Sequence, residues 1–123
     1  MDVRFHCAHR IRRSGKKSRH NVFGACADVC KVLRLHPDYG ESIPGSSQLR
    51  KMRLMVPGLA VGKSGGYRLI YRKQEQDQAL YIVFLETYFK GDRSDLSRDE
   101  YKVLLVEAEA ILKSPLSVDW TDG

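Results

Sequence analysis

Between residues 50 and 73 the chain carries Arg50, Lys51, Arg53, Lys63, Arg68, Arg72 and Lys73, and no acid among them. Cations without neighbouring carboxylates attract phosphate, and the planar fork of arginine can hold two of its oxygens at once. The spacing is as informative as the charge. Lys51-Met52-Arg53-Leu54-Met55 alternates basic and apolar, so a strand here puts Lys51 and Arg53 on one face and Met52 and Leu54 on the other. Tyr67-Arg68-Leu69-Ile70-Tyr71-Arg72 alternates likewise, with Arg68, Ile70 and Arg72 opposed to Tyr67, Leu69 and Tyr71. Between them, the backbone amides of Gly62-Lys63-Ser64-Gly65-Gly66, with the Lys63 ammonium, suit a single phosphate of a polymer. A nucleotide-binding P-loop is excluded. It needs four residues between its glycines and a following helix, whereas Gly58 and Gly62 enclose three and a strand-like segment comes next.

Other chemistries find little support. Cys26 and Cys30 stand four apart with Val22, Phe23 and Val29 on a helical pattern, which reads as small buried hydrophobes. His6, Cys7 and His9 are too few and too close together to define a metal centre, and His20 and His36 read as surface or capping groups. No metal or other cofactor is expected.

The elements that must position the basic residues are set by periodicity. Val3 to Cys7 predicts a short first strand, and apolar residues at 22, 23, 26, 29, 30 and 33 predict an amphipathic helix from about Asn21 to Leu35, ended by Pro37. Tyr39-Gly40 and Pro44-Gly45 read as a turn-rich connection. Residues 73–78 read as a hairpin turn, and Leu80 to Leu85, almost continuously apolar, as a central strand. Ser97 with Glu100 forms a capping box ahead of a stripe of Tyr101, Leu104, Leu105, Ala108, Ile111 and Leu112, and Pro115 stops that helix. The order predicts an α+β fold, a small, mostly antiparallel sheet packed against N-terminal and C-terminal helices. One domain over residues 1–112 and a tail over 113–123, including Trp120, account for all 123 residues.

No apolar run is long enough for a membrane helix and the first residues lack a signal-peptide core, so a cytoplasmic protein with no membrane partner is expected. The net charge of +6 is unevenly spread. Residues 1–20 hold Arg4, Arg10, Arg12, Arg13, Lys16, Lys17 and Arg19 against Asp2 alone, while everything after residue 73 is acidic on balance. Two basic blocks brought together would make a polyanion-binding field; the other reading is a merely solvated basic surface.

The runs Leu49-Arg50-Lys51-Met52-Arg53-Leu54, Gly62-Lys63-Ser64-Gly65-Gly66-Tyr67-Arg68-Leu69-Ile70-Tyr71 and Tyr88-Phe89-Lys90-Gly91-Asp92-Arg93-Ser94-Asp95-Leu96-Ser97 resemble the RelE/ParE toxin superfamily, particularly its HigB-like members, over residues 20–112. The resemblance implies a toxin of a type II toxin-antitoxin module that cuts messenger RNA on the ribosome. It also implies a cognate helix-turn-helix antitoxin that neutralises the toxin and carries it to operator DNA. Related ParE-like proteins instead bind and inhibit DNA gyrase without catalysis, and a degenerate member would only pair with its antitoxin; both alternatives stay open.

By the resemblance, the family's basic residues fall on Lys51, Arg53 and Arg68, and a further one on Lys90, because Gly91 stands where some relatives have arginine. Relatives with a tyrosine at the start of the last helix would have it at Ser97. Metal-free RNA cleavage is attack of a 2'-hydroxyl on its own phosphate, and no histidine lies in the basic region to serve it. Lys51 beside Arg53 could act as base if the like charge lowered its pKa, with Arg68 clamping the phosphorane and Lys90 or Lys63 at the leaving group. Lys63, Tyr88 and Arg72 are the expected substrate-binding residues. The plainer roles are solvent-facing Lys51 and Arg53, a surface Lys90, and an Arg68 paired with Glu86.

Overall fold

A computed structural model describes residues 2–11, 22–56 and 66–113 of the chain. Strand β1 (Asp2–Cys7) precedes helix α1 (Val22–Leu35), which buries Val22, Ala25, Cys26, Val29, Cys30 and Leu33 at helical spacing. The strands β2 (Glu41–Ile43), β3 (Ser46–Leu54), β4 (Tyr67–Gln76) and β5 (Ala79–Phe89) come next, and helix α2 (Arg98–Lys113) closes the order. The sheet runs β1-β5-β4-β3-β2; β1 lies parallel to β5 and the remaining neighbours are antiparallel. This is a small α+β fold with a mixed sheet flanked by an N-terminal and a C-terminal helix. Lys63 and most of its glycine loop, the basic residues from Arg12 to Arg19, His20, Pro115 and the Trp120 tail lie outside the described residues.

Two segments differ from the reading by periodicity. Glu41 to Ile43, expected within a turn-rich connection, is an edge strand joined to β3 through Pro44-Gly45, with Gly45 at φ 78°. Three residues are too few to display alternation. Lys73 to Gln76, expected in a turn, continues β4; the turn itself is Asp77-Gln78, at φ 52° and 64°. Two consecutive left-handed residues match the twist of a two-residue hairpin, normally signalled by Asn-Gly or Asp-Gly.

Each face of the sheet has its own core. Leu54, Met52, Leu69, Tyr71, Ile82 and Phe84 pack with α1 and the three thiols, all buried, whereas Leu49, Ile70, Val83 and Leu85 pack with Tyr101, Leu104, Ala108, Ile111 and Leu112 of α2. The cysteines are therefore core residues, and burial pushes the Cys26 thiol far up. Helix α2 starts as its sequence directs. The Ser97 hydroxyl accepts from the Glu100 amide at 3.1 Å and Glu100 accepts from the Ser97 amide at 3.0 Å, while Leu96 and Tyr101 join the same cluster as a staple across the first turn.

One irregularity in β5 decides which of its side chains face α2. Opposite Ile70 and Tyr71 stand Glu86 and Phe84, so Leu85 is an extra residue in β5. Such a bulge shifts alternation by one. Tyr81, Val83 and Leu85 face α2, and past the bulge it is Glu86 and Tyr88 that share that face.

Candidate functional site

Helix α2 covers only part of its face of the sheet. Beyond its first turn the face opens into a cleft of about 510 Å³ lined by Lys51, Arg53, Arg68, Tyr88 and Lys90, with Tyr39 and Glu41 at the β2 side. Arg53 of β3 pairs directly across from Arg68 of β4, which pairs directly with Tyr88 of β5. In the next row Glu41, Lys51, Ile70 and Glu86 succeed one another across four strands. The alternation in Lys51–Met55 and Tyr67–Arg72 is thus realised, and it brings the cations together.

Their environments differ. Arg53 is exposed at the lip; Arg68, only 9% exposed, forms the floor, its guanidinium donating to the Tyr67 carbonyl at 3.3 Å. Gly66 enters β4 at φ 82° and its carbonyl accepts from the Lys90 amide at 2.8 Å, which ties the Lys90 turn to the start of the Arg68 strand. A side chain at Gly91 would require the Phe89 ring to shift, and Lys90 is the cation of this turn that lines the cleft. Like charges directly opposite in a sheet are unfavourable by up to about 1 kcal/mol. The Arg53–Arg68 pair, in a cleft open to solvent, is an arrangement that an anion between them would relieve.

Lys51 departs from its expected role. Its ammonium donates to Asp95 at 3.1 Å and reaches the Tyr88 hydroxyl at 3.5 Å. Burial pulls its pKa down, but the Asp95 bond and the fields of Tyr101, Tyr88 and Asp95 outweigh it, and the pKa ends above the lysine value of 10.5. The condition for a base, a pKa lowered by the like charge of Arg53, is not met, because the carboxylate of Asp95 is in direct contact. Asp95 is correspondingly held below the usual carboxylate range, where burial is outweighed by Tyr101, Lys51 and the Leu96 amide. The Tyr101 hydroxyl donates to Asp95 at 2.5 Å, and burial with that bond pushes its pKa up to about 12. Asp95 and Tyr101 do not stand out as site residues in the sequence, although the capping box at Ser97 puts Leu96 and Tyr101 in staple positions and Asp95 just before them.

Arg72 is not in the cleft. It shares the face of Arg68 but lies under α2, 3% exposed, where it donates to Glu109 at 2.5 Å and to Gln74. Glu86, the carboxylate that the plainer reading offers to Arg68, is held by Arg10, which bridges Glu86 at 3.1 Å and Glu107 at 2.6 Å. Of the other N-terminal cations, Arg4 pairs with Asp2 in β1, at the sheet edge opposite β2. Tyr88 is 7% exposed, with its ring in the α2 core and its hydroxyl near Lys51. Lys63 is outside the described residues.

Among the described residues no group of three His, Cys, Asp or Glu side chains is placed to hold a metal ion. No helix among them is long and apolar enough to cross a membrane. Compared with models of known protein families, the chain matches none.

Proposed function

We propose that this chain is a RelE/ParE-type toxin of the HigB-like kind, an endoribonuclease that cuts messenger RNA on the ribosome and is neutralised by a cognate antitoxin in the cytoplasm. The observation that carries the reading is the directly opposed Arg53 and Arg68 on one open sheet face, beside Lys51, Lys90 and Tyr88. Two guanidiniums at one strand spacing can take the non-bridging oxygens of a phosphodiester and stabilise the added charge of its phosphorane. Lys90 sits where it can meet the leaving oxygen or the next phosphate.

Lys51, with its raised pKa, acts as a cation or proton donor and not as the base. Removal of the 2'-hydroxyl proton then falls to chemistry lent by the ribosome, which also orients the message, and that division accounts for the ribosome dependence. The same observation lends weight to a second reading, a gyrase-binding toxin that uses the cationic face without catalysis. Purified protein added to ribosomes translating a defined message should give cuts within the codon in the decoding site, mapped by primer extension. Inhibition of gyrase supercoiling without any cut would replace the first reading by the second. Co-expression with the adjacent small reading frame should yield a complex that no longer cuts.

A further inference from the structure

The cleft has a second wall that a phosphate clamp does not require. Tyr39 is 62% exposed yet lines the cleft, and Glu41, also exposed, lines it as a carboxylate among cations. Glu41 is directly opposite Lys51, but Lys51 turns to Asp95, and among the described residues no ion pair takes the Glu41 carboxylate.

The backbone bearing these two side chains is firmly held. The Gly40 amide donates to the hydroxyl of fully buried Tyr71 at 3.1 Å, and that hydroxyl donates to the Pro37 carbonyl at 3.4 Å. Arg50 donates to the carbonyls of Asp38, at 3.0 Å, and of Gly40, and Lys73 pairs with the Asp38 carboxylate. A side chain at position 40 would lie 2.8 Å from the Lys51 carbonyl, so the segment packs tightly against β3. An exposed aromatic on a rigid mount at the lip of an anion-binding cleft is a stacking platform.

We infer that Tyr39 and Glu41 form a subsite for one unpaired nucleobase, selective for guanine, next to the phosphate held by Arg53 and Arg68. The inference rests on the ribonuclease reading and names its substrate more closely. Neighbouring strands are about 4.8 Å apart, so the base wall is one to two strand spacings from the arginines, of the order that separates a nucleotide's base from its phosphate. Stacking on Tyr39 is open to any base. Glu41 discriminates: a carboxylate offers two acceptors and no donor, and guanine alone presents two adjacent donors, N1–H and the 2-amino group. On adenine and cytosine one donor adjoins a ring acceptor, and uracil N3–H is flanked by two carbonyl oxygens, each repelled by the carboxylate. The carboxylate contact needs an exposed Watson–Crick edge and the stack an exposed ring face, so the ligand is a single strand, and the ribonuclease reading makes it RNA.

The test is binding of four short single-stranded RNAs that differ only in a central G, A, C or U, with a 2'-O-methyl block against cleavage, read by fluorescence anisotropy. Ribosome-programmed cleavage is run on the same preparations. The wild type should prefer the guanine probe by about tenfold. Glu41→Gln should level that preference, and Tyr39→Ala should weaken all four probes by about tenfold while leaving their order, with Tyr39→Phe close to wild type. Cleavage on ribosomes together with equal affinity for all four probes would overturn the base subsite and leave the nuclease standing. If the wild type neither binds nor cuts RNA, the nuclease reading falls and the subsite with it.

Discussion

Arg68 and Arg72 stand four residues apart on one strand and on the same face, yet the molecule uses them in opposite ways. Arg72 lies beneath helix α2, with Glu109 and Gln74 as partners. Arg68 lies past the first turn of that helix, on the floor of an open cleft and directly opposite a second arginine. Strand parity alone makes them equivalent. What separates them is where the helix roof ends, and that edge is set by Ser97, whose capping box starts the helix, and by the Leu96–Tyr101 staple.

The largest effect should come from emptying the open half of the face. Replacing both Arg53 and Arg68 by alanine should reduce cleavage on ribosomes by more than about a thousandfold, measured as single-turnover rates. Thermal unfolding of the same preparations should show a domain that stays folded, so that the loss is one of rate and not of structure. Under the roof the sign reverses. Glu109→Ala deprives a buried guanidinium of its carboxylate and should destabilise the fold by about 1–3 kcal/mol in urea titrations, with cleavage per folded molecule unchanged.

Lys51 offers a subtler contrast, since its partner Asp95 belongs to the helix start and its neighbours to the open cleft. With a pKa raised above 10.5 it stays protonated through neutral pH. Cleavage rates from about pH 6 to 9 should therefore show no ascending limb due to a lysine base. Such a limb, abolished in Lys51→Met, would restore Lys51 as the base.

The smallest effect lies at the exposed cap. Glu100, held by Arg93 and the Ser97 amide, has its pKa lowered from 4.5 to about 2. A folded-state value below the unfolded one means a contribution present above pH 4.5 and lost as the pH falls toward about 2. Melting curves of wild type and Glu100→Gln should accordingly differ at pH 5 and converge near pH 2.

Much of this architecture is legible in the residues alone. Alternation in Lys51–Met55 and Tyr67–Arg72 places four basic side chains on one face, the stripe from Val22 to Leu33 predicts α1, and Ser97 with Glu100 predicts the start of α2. What escapes such reading depends on contacts distant in sequence. The Leu85 bulge leaves no local mark in an almost continuous apolar run, yet it turns Tyr88 toward the cleft. The Asp77-Gln78 turn adopts left-handed backbone without glycine, so β4 and β5 extend beyond their apolar parts. Lys51 and Asp95 are 44 residues apart, and an acid-free neighbourhood in sequence is not one in space. Tyr39 and Glu41 carry no pattern of their own, and their place at the cleft comes from Tyr71 and Arg50, which hold the Gly40 between them.

The division of the sheet face by helix α2 is tested most directly by making the same substitution at two positions of β4. Arg68→Met and Arg72→Met each exchange a long cation for a long apolar chain, and both are measured for single-turnover cleavage on translating ribosomes and for thermal unfolding. Arg68→Met should stay folded and lose about tenfold to a thousandfold in rate, corresponding to about 1.4–4 kcal/mol of transition-state stabilisation. Arg72→Met should keep its rate per folded molecule, with only a small change in stability. Equal losses of rate at the two positions, or a loss at Arg68 that merely tracks its unfolding, would contradict that division.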